Sequence, residues 1–346
     1  MRALVTGGSG FIGFHVVRTL LSAGHSVRVL VRSREAARRL EPLGVEVVMG
    51  DLATGEGIGT AVAGCDAVFH VAAHYSLDRR DGPRMYAVNV EGTRRVLAAV
   101  RRAGGPRMVY TSSTATIGLR ADGGPADESR FVDPASVRSA YKRSKILAEN
   151  LVLDACREGM DIVIVNPSAP VGWGDVKPTP TGRIVLDAMK GRIPGYVETG
   201  LNVVSVGDVA AGHLLAWRHG QSGERYILGH QNMHLSEILQ VVAELAGRRP
   251  PKLRIPFWVA WCAAVVDEFV VTPVRGGPAR IPLAGVQLAK QPMYFTAEKA
   301  VRELGLPQTP VRQALAEAVA WFRTFRMHGA AGDVTEHAIP PAGGKG

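Results

Sequence analysis

The sequence predicts an α/β protein: a doubly wound parallel sheet with a smaller C-terminal lobe. Three observations carry this expectation. Short β-branched runs alternate with helical stretches from Met1 to about residue 172, the order that a parallel sheet with helical crossovers requires. A glycine turn, Gly7-Gly8-Ser9-Gly10-Phe11-Ile12-Gly13, separates the first strand pattern from the first helical one. Beyond Trp173 the composition shifts to turn chemistry, with Lys177-Pro178-Thr179-Pro180-Thr181, which marks a change of lobe.

Arg2 to Thr6 is the first strand, and the helix after the turn runs through Leu21. Gly7 permits the tight turn. Gly10 lets a pyrophosphate approach the backbone, and Gly13 lets the helix pack on the strand. The amides at the helix N-terminus, where Phe11 and Ile12 lie, face the phosphates. The spacing is Gly-x-x-Gly-x-x-Gly, one residue longer between the first two glycines than the commoner fingerprint. The second strand, Ser26 to Val31, ends in Arg32-Ser33-Arg34. NAD sites usually carry an acid here for the ribose 2′-hydroxyl. Arg32 and Arg34 can instead pair with a 2′-phosphate, so NADP is expected, with NAD as the alternative. The plainer alternative is that they merely begin a solvated helix. After the third strand, Val45 to Val48, Asp51-Leu52 follows; Asp51 either accepts from an adenine amino group or caps the next helix. The fourth strand, Ala67 to Val71, leads into Ala72 and Ala73, small enough for a cofactor to lie close. His70 reads as a packed or hydrogen-bonded side chain.

Asn89-Val90-Glu91-Gly92-Thr93 opens a helix through Val100, and the fifth strand, Met108 to Thr111, carries Ser112 and Ser113. Ala121 to Pro134 is a loop at the rim of the site. The next helix, Ser139 to Leu153, places Tyr141 and Lys145 on one face. A phenol beside an ammonium is an acid/base device, because the positive charge favours phenolate. Ser113 can hydrogen-bond a substrate oxygen. The sixth strand, Asp161 to Val165, ends at Asn166-Pro167-Ser168. In the second lobe, Val203 to Val206 and Tyr226 to Leu228 read as strands, with helices over Ser236–Ala246, Ala297–Leu304 and Val311–Arg326. The apolar run Ile255 to Val266 is shorter than the ~20 residues of a membrane span. Its expected role is a core helix or pocket wall; the alternative is a surface that touches lipid.

Residues 1–172 are thus expected to form mainly the dinucleotide-binding domain, 173–326 mainly the substrate lobe with returns to the main sheet, and 327–346 a disordered tail. The chain is 46% hydrophobic and 21% charged, with a net charge of +10. Its basic residues form no blocks and no aromatic interleaving, which argues against nucleic acid as a partner. The three cysteines have no metal-ligand spacing, so no metal is expected, and they read as small buried residues in a reducing cytoplasm. No signal-peptide pattern opens the chain. The expected location is cytoplasmic, with peripheral contact at an inner membrane as an option.

Taken together, Met1 to Arg326 resembles an extended short-chain dehydrogenase/reductase. The resemblance rests on the glycine turn, Asp51-Leu52, His70-Val71-Ala72-Ala73, Asn89-Val90-Glu91-Gly92-Thr93, Tyr110-Thr111-Ser112-Ser113, Tyr141-Lys142-Arg143-Ser144-Lys145 and Asn166-Pro167-Ser168, in the family's order. It implies that Tyr141 donates or accepts the proton, that Lys145 lowers its pKa and holds the nicotinamide ribose, and that Ser113 polarises the substrate oxygen. Pro167 and Ser168 would lie near the carboxamide, and Asn89 would belong to the cofactor site. The runs Val165 to Gly172, Lys177 to Val185, Tyr196 to Asn202 and Glu224 to Gly229 look closest to the hopanoid-associated sugar epimerase group. Plant dihydroflavonol reductases are more distant. The implied activity is hydride transfer at a carbinol or carbonyl carbon of a sugar- or polyol-bearing substrate, small or lipid-linked. An NADPH-dependent carbonyl reductase is the alternative, and a non-catalytic NADP-binding sensor the second. Phe257, Trp258 and Trp261 would accept a triterpenoid body. Relatives pair through helices equivalent to those of Asn89 and Tyr141, so a homodimer is an option.

Overall fold

The computed structural model describes residues 1–76, 78–275, 279 and 283–327. The expected tail lies outside the described residues, Met327 apart. Twelve strands are described: β1 Arg2–Thr6, β2 Ser26–Val31, β3 Glu46–Met49, β4 Ala67–His70, β5 Arg107–Thr111, β6 Ile162–Pro167, β7 Ala169–Val171, β8 Gly195–Tyr196, β9 Gly200–Ser205, β10 Arg225–Leu228, β11 Gln231–His234 and β12 Leu253–Arg254. The helices that matter below are α1 Phe11–Ser22, α2 Gly92–Arg102, α3 Ala140–Arg157, α4 Pro180–Met189, α5 Val206–His219, α6 Leu235–Ala246, α7 Phe257–Val266 and α8 Val311–Met327.

The main sheet runs β10-β6-β5-β4-β1-β2-β3 with every neighbouring pair parallel. Chain order reverses between β1 and β4, so the crevice at their carboxyl ends is where an open sheet of this kind takes a ligand. The strands are near-continuous apolar runs because helices cover both faces. Alternate residues divide between those faces. Val5, Val29, Val109 and Val163 pack with Val16 and Leu20 of α1 and with Val209 of α5. Leu4, Leu30, Met108 and Ile162 pack instead with Val96 of α2 and Val152 of α3. A third core, with Val185, Val203, Ile238, Leu239 and Leu315, lies in the second lobe, where α4, α6 and α8 surround the small sheet β11-β9-β7. β10 returns from that half of the chain to the edge of the main sheet, parallel to β6.

Two stretches differ from the sequence reading. The helix bearing Asn89 begins earlier, at Gly82, and passes through a π-helical segment, Tyr86–Glu91, before α2. α7 does not stop at Val266: it continues through a π segment, Asp267–Val271, to Thr272–Arg275. The run Phe257–Val274 is therefore long and apolar enough to cross a membrane by length and composition, contrary to the shorter reading. Nor is it a core helix. Ala264 is the buried residue of α7, whereas Trp258 is 68% and Phe269 55% exposed. Phe257, Trp258 and Trp261 do not line the cleft, so the pocket-wall expectation fails. Cys65 is buried as expected, but Cys156 is half-buried and Cys262 exposed.

Candidate active site

A cleft of about 2720 Å³ follows the carboxyl ends of the main strands and continues against the second lobe. Its nucleotide end is built by the glycine turn. Gly7 has φ +73°, and a Cβ there would meet the Ala72 backbone at 2.7 Å. A Cβ on Gly13 would lie 2.1 Å from the Gly7 carbonyl oxygen. Gly10 lines the cleft, and a Cβ there would press on the Gly7 carbonyl oxygen at 3.3 Å. Gly10 supplies no side-chain cap to α1, leaving the first-turn amides at Phe11, Ile12 and Gly13 facing the cleft without one. Such a cradle fits a pyrophosphate.

Arg32, Asp51, Leu52, Ala72 and Ala73 also line this end. Asp51 does not cap the following helix, whose N-cap is Gly57. Its Oδ1 accepts from the Ala53 amide at 2.8 Å and shapes the turn. Ser33 caps the short helix that starts at Arg34, accepting from the Ala36 amide at 3.2 Å. Arg34 is exposed and does not line the cleft, so of the two expected guanidiniums the structure places Arg32 there and Arg34 outside. Sequence reasoning missed Arg39, whose Nη1 donates to the Ser9 carbonyl of the glycine turn at 3.2 Å.

At the catalytic end Tyr141 and Ser113 both line the cleft, beside Pro167 and Ser168. Ser139 caps α3, so Tyr141 sits in its first turn with the ring edge-on to Tyr75, 4.4 Å between centroids. Burial raises the Tyr141 pKa, and a hydrogen bond with the Ser113 side chain opposes that rise. Lys145 shares the helix face of Tyr141 but is not among the residues lining the cleft. It is 2% exposed and lies behind the lining, where Nζ donates to the Thr111 carbonyl at 2.8 Å and to the Tyr110 hydroxyl at 3.4 Å. The shared helix face is real, but the ammonium is drawn under the end of β5 and holds the strand that carries Ser113. Burial lowers its pKa to about 8, with Glu149 pulling the other way.

Asn89 is also not a lining residue. Its Oδ1 accepts from the His74 amide at 2.7 Å, while Nδ2 donates to the His74 carbonyl and to Ser144 Oγ at 3.0 and 2.9 Å. Its side-chain amide thus ties the wall after β4 to α3. His70 is buried between Thr6 and Thr93 hydroxyls, at 2.7 and 3.1 Å, and burial lowers its pKa to about 3. It is a packed, neutral side chain.

Glu149 was not anticipated. It is 2% exposed, accepts from Thr116 Oγ1 and Asn166 Nδ2 at 2.8 and 2.9 Å, and pairs with Arg225 Nη1 at 3.0 Å. Arg225 comes from β10, donates to the Glu128 and Arg130 carbonyls, and lies 3.9 Å over the Phe131 ring. The pair therefore clamps the rim loop against α3. The available signal was spacing: Tyr141, Lys145 and Glu149 recur every four residues. The substrate end mixes apolar side chains, such as Leu119, Ile184, Leu201 and Leu288, with the cations Lys177, Arg183, Arg192 and Lys290. Among the described residues no three of His, Cys, Asp or Glu converge to hold a metal.

A glycine-cradled helix terminus at a topological switch point, with a Tyr–Ser pair at the far end of the same crevice, defines a nucleotide-dependent enzyme of the doubly wound class. A family model described as the NAD dependent epimerase/dehydratase family matches residues 3–229. The chain belongs to that family, the extended short-chain dehydrogenases/reductases, and is an NAD(P)-dependent enzyme. It is 48% identical over 323 residues to a putative dihydroflavonol 4-reductase of Synechocystis sp., covering 92% of this chain and 94% of that one. It is 36% identical over 331 residues to sterol demethylase protein B of Methylococcus capsulatus, covering 94% and 100%. The crystal structure of gox2253 superposes with a TM-score of 0.82 at 42% identity, over 94% of this chain and 98% of that one.

Proposed function

We propose that this enzyme reduces a carbonyl, or oxidises the matching carbinol, on a polycyclic isoprenoid lipid of sterol or hopanoid type, with NADP(H) preferred. The observation that carries the reading is the convergence of Tyr141 and Ser113 in the cleft that the glycine turn opens. When bound, the nicotinamide supplies or takes the hydride. The glycine turn and the α1 terminus would hold its pyrophosphate, and Arg32, where an acid would favour NAD, would take a 2′-phosphate. Ser113 donates to the carbonyl oxygen and keeps it within reach of the phenol. Tyr141 gives its proton to that oxygen as the carbon is reduced, and takes it back in the oxidative direction. Lys145 fixes the strand end bearing Ser113. The apolar side chains among the cations of the substrate end and the similarity to a protein named for a sterol support a lipid substrate.

The family description favours a second reading, epimerisation; the sequence resemblance would make its substrate sugar-bearing and hopanoid-linked. There the keto intermediate would return its hydride to the opposite face. One experiment separates the two. Nucleotide released from the purified enzyme is identified, and the enzyme is then offered sterol or hopanoid ketones with NADPH. Exchangeable NADPH with stoichiometric oxidation supports reduction. Tightly held NAD with no net oxidation supports epimerisation and sinks the reductase reading.

A further inference from the structure

We infer that Phe257–Val274 and the basic segment before it form a docking surface for an anionic lipid bilayer, seating the substrate end of the cleft over the membrane. The helix is apolar around its circumference rather than on one stripe. Trp258, Trp261, Phe269, Val270 and Val274 are all exposed. An uncovered face of this size on a folded lobe marks a contact surface.

Charge identifies the occupant. Immediately before the helix, Arg248, Arg249, Lys252 and Arg254 are exposed, with Leu253 61% exposed among them. Arg254 pairs with Glu198 at 2.8 Å. β12 pairs with β8, which carries this segment next to Arg192 on the cleft rim, and a Cβ on Gly191 would lie 3.5 Å from Arg248 Nη1. The two acids within the helical run point elsewhere: Asp267 is buried, and Glu268 accepts from the Leu283 amide at 2.8 Å. Aromatic and aliphatic side chains flanked by arginines and lysines are what an anionic headgroup layer binds.

The helix lies on the bilayer rather than through it. Its N-terminal end is tied to β8 through β12, and α7 packs against Leu283–Leu288. Both ends thus return to the same lobe. Gly285, Gln287 and Leu288 of that packing segment line the cleft, so the docked face borders the cleft mouth. Only the delivery of a lipid substrate rests on the proposed function; the docking itself does not.

The test uses the full chain without substrate. The protein is sedimented with phosphatidylcholine vesicles and with vesicles of equal parts phosphatidylcholine and phosphatidylglycerol, at low and high salt. The expected result is pelleting with the anionic vesicles that weakens with salt. The combined variant Trp258→Ser, Trp261→Ser and Phe269→Ser, and separately Arg248→Gln, Arg249→Gln and Lys252→Gln, should each lower the partition coefficient at least about tenfold. Unchanged melting temperature and NADPH binding show that the variants fold. Wild-type protein that stays in the supernatant, or a folded apolar variant that pellets unchanged, overturns the proposal. If the apolar variant instead turns a dimer into a monomer while wild type ignores vesicles, the occupant is a second copy of this chain and the proposal falls. Failure to turn over a sterol ketone bears on the substrate reading and leaves these outcomes intact.

Discussion

At the scale of single residues the site depends on where one proton sits. Tyr141 is half-buried in the wall of the cleft, and desolvation there holds its phenol protonated above its ordinary range. Replacing it with Phe should lower kcat by about 10²–10⁴ while nucleotide still binds, the range that a positioned general acid supplies. Ser113→Ala should cost less, because the phenol remains. Steady-state kinetics together with a nucleotide titration check both. The raised pKa fixes the sign of the pH dependence. Reduction needs the protonated phenol and should hold its kcat/KM through neutral pH. Oxidation needs phenolate and should gain kcat/KM as pH rises through the alkaline range. A reductive profile that climbs with alkalinity would contradict Tyr141 as the acid.

At the scale of elements, the glycine turn and the Tyr141 helix were legible because their signals are local. A turn needing φ +73° beside a neighbouring backbone admits only glycine, so the requirement is written at that position. Gly13→Ala would drive a Cβ into the Gly7 carbonyl, and thermal melts should show a loss of about 1–3 kcal/mol with weakened nucleotide binding. The Glu149–Arg225 pair was not legible, since its partners stand 76 residues apart and meet only when β10 joins β6. Because both are buried, Glu149→Gln leaves Arg225 uncompensated and should destabilise by about 3–5 kcal/mol in chemical denaturation. Asn89 and Lys145 stand on the expected elements, and their side chains make bonds to the walls of the site that spacing alone does not reveal. Sequence shows which face a side chain shares, but not which carbonyl it reaches. The 257–274 helix was misread for a similar reason: an all-apolar stretch does not say whether other protein covers it.

At the scale of the whole molecule, three buried histidines weaken the fold towards acid, while the carboxyl of Asp175, raised by burial to about 6, acts in the opposite sense. His15, His70 and His213 are buried, and burial lowers their pKa values to about 4, 3 and 4. Unfolded, each would take a proton near pH ~6.5. Between that value and the native one the unfolded chain binds more protons, so stability is complete above pH ~6.5 and is lost as pH falls. Each contributes about 1.4 kcal/mol per pH unit over its window. Melting temperatures measured from pH 7 to 4 should therefore fall with increasing steepness; a flat profile would show that these rings take protons without unfolding. The return of β10 to the first sheet has a consequence for anyone dividing this chain. A fragment ending near residue 172 would carry every glycine of the cradle and the Tyr141 helix. It would still leave β6 as a bare edge and Glu149 without its Arg225 partner. The two lobes are separable to the eye but not to a protease or a cloning boundary: the half that looks self-sufficient borrows its last strand from the other.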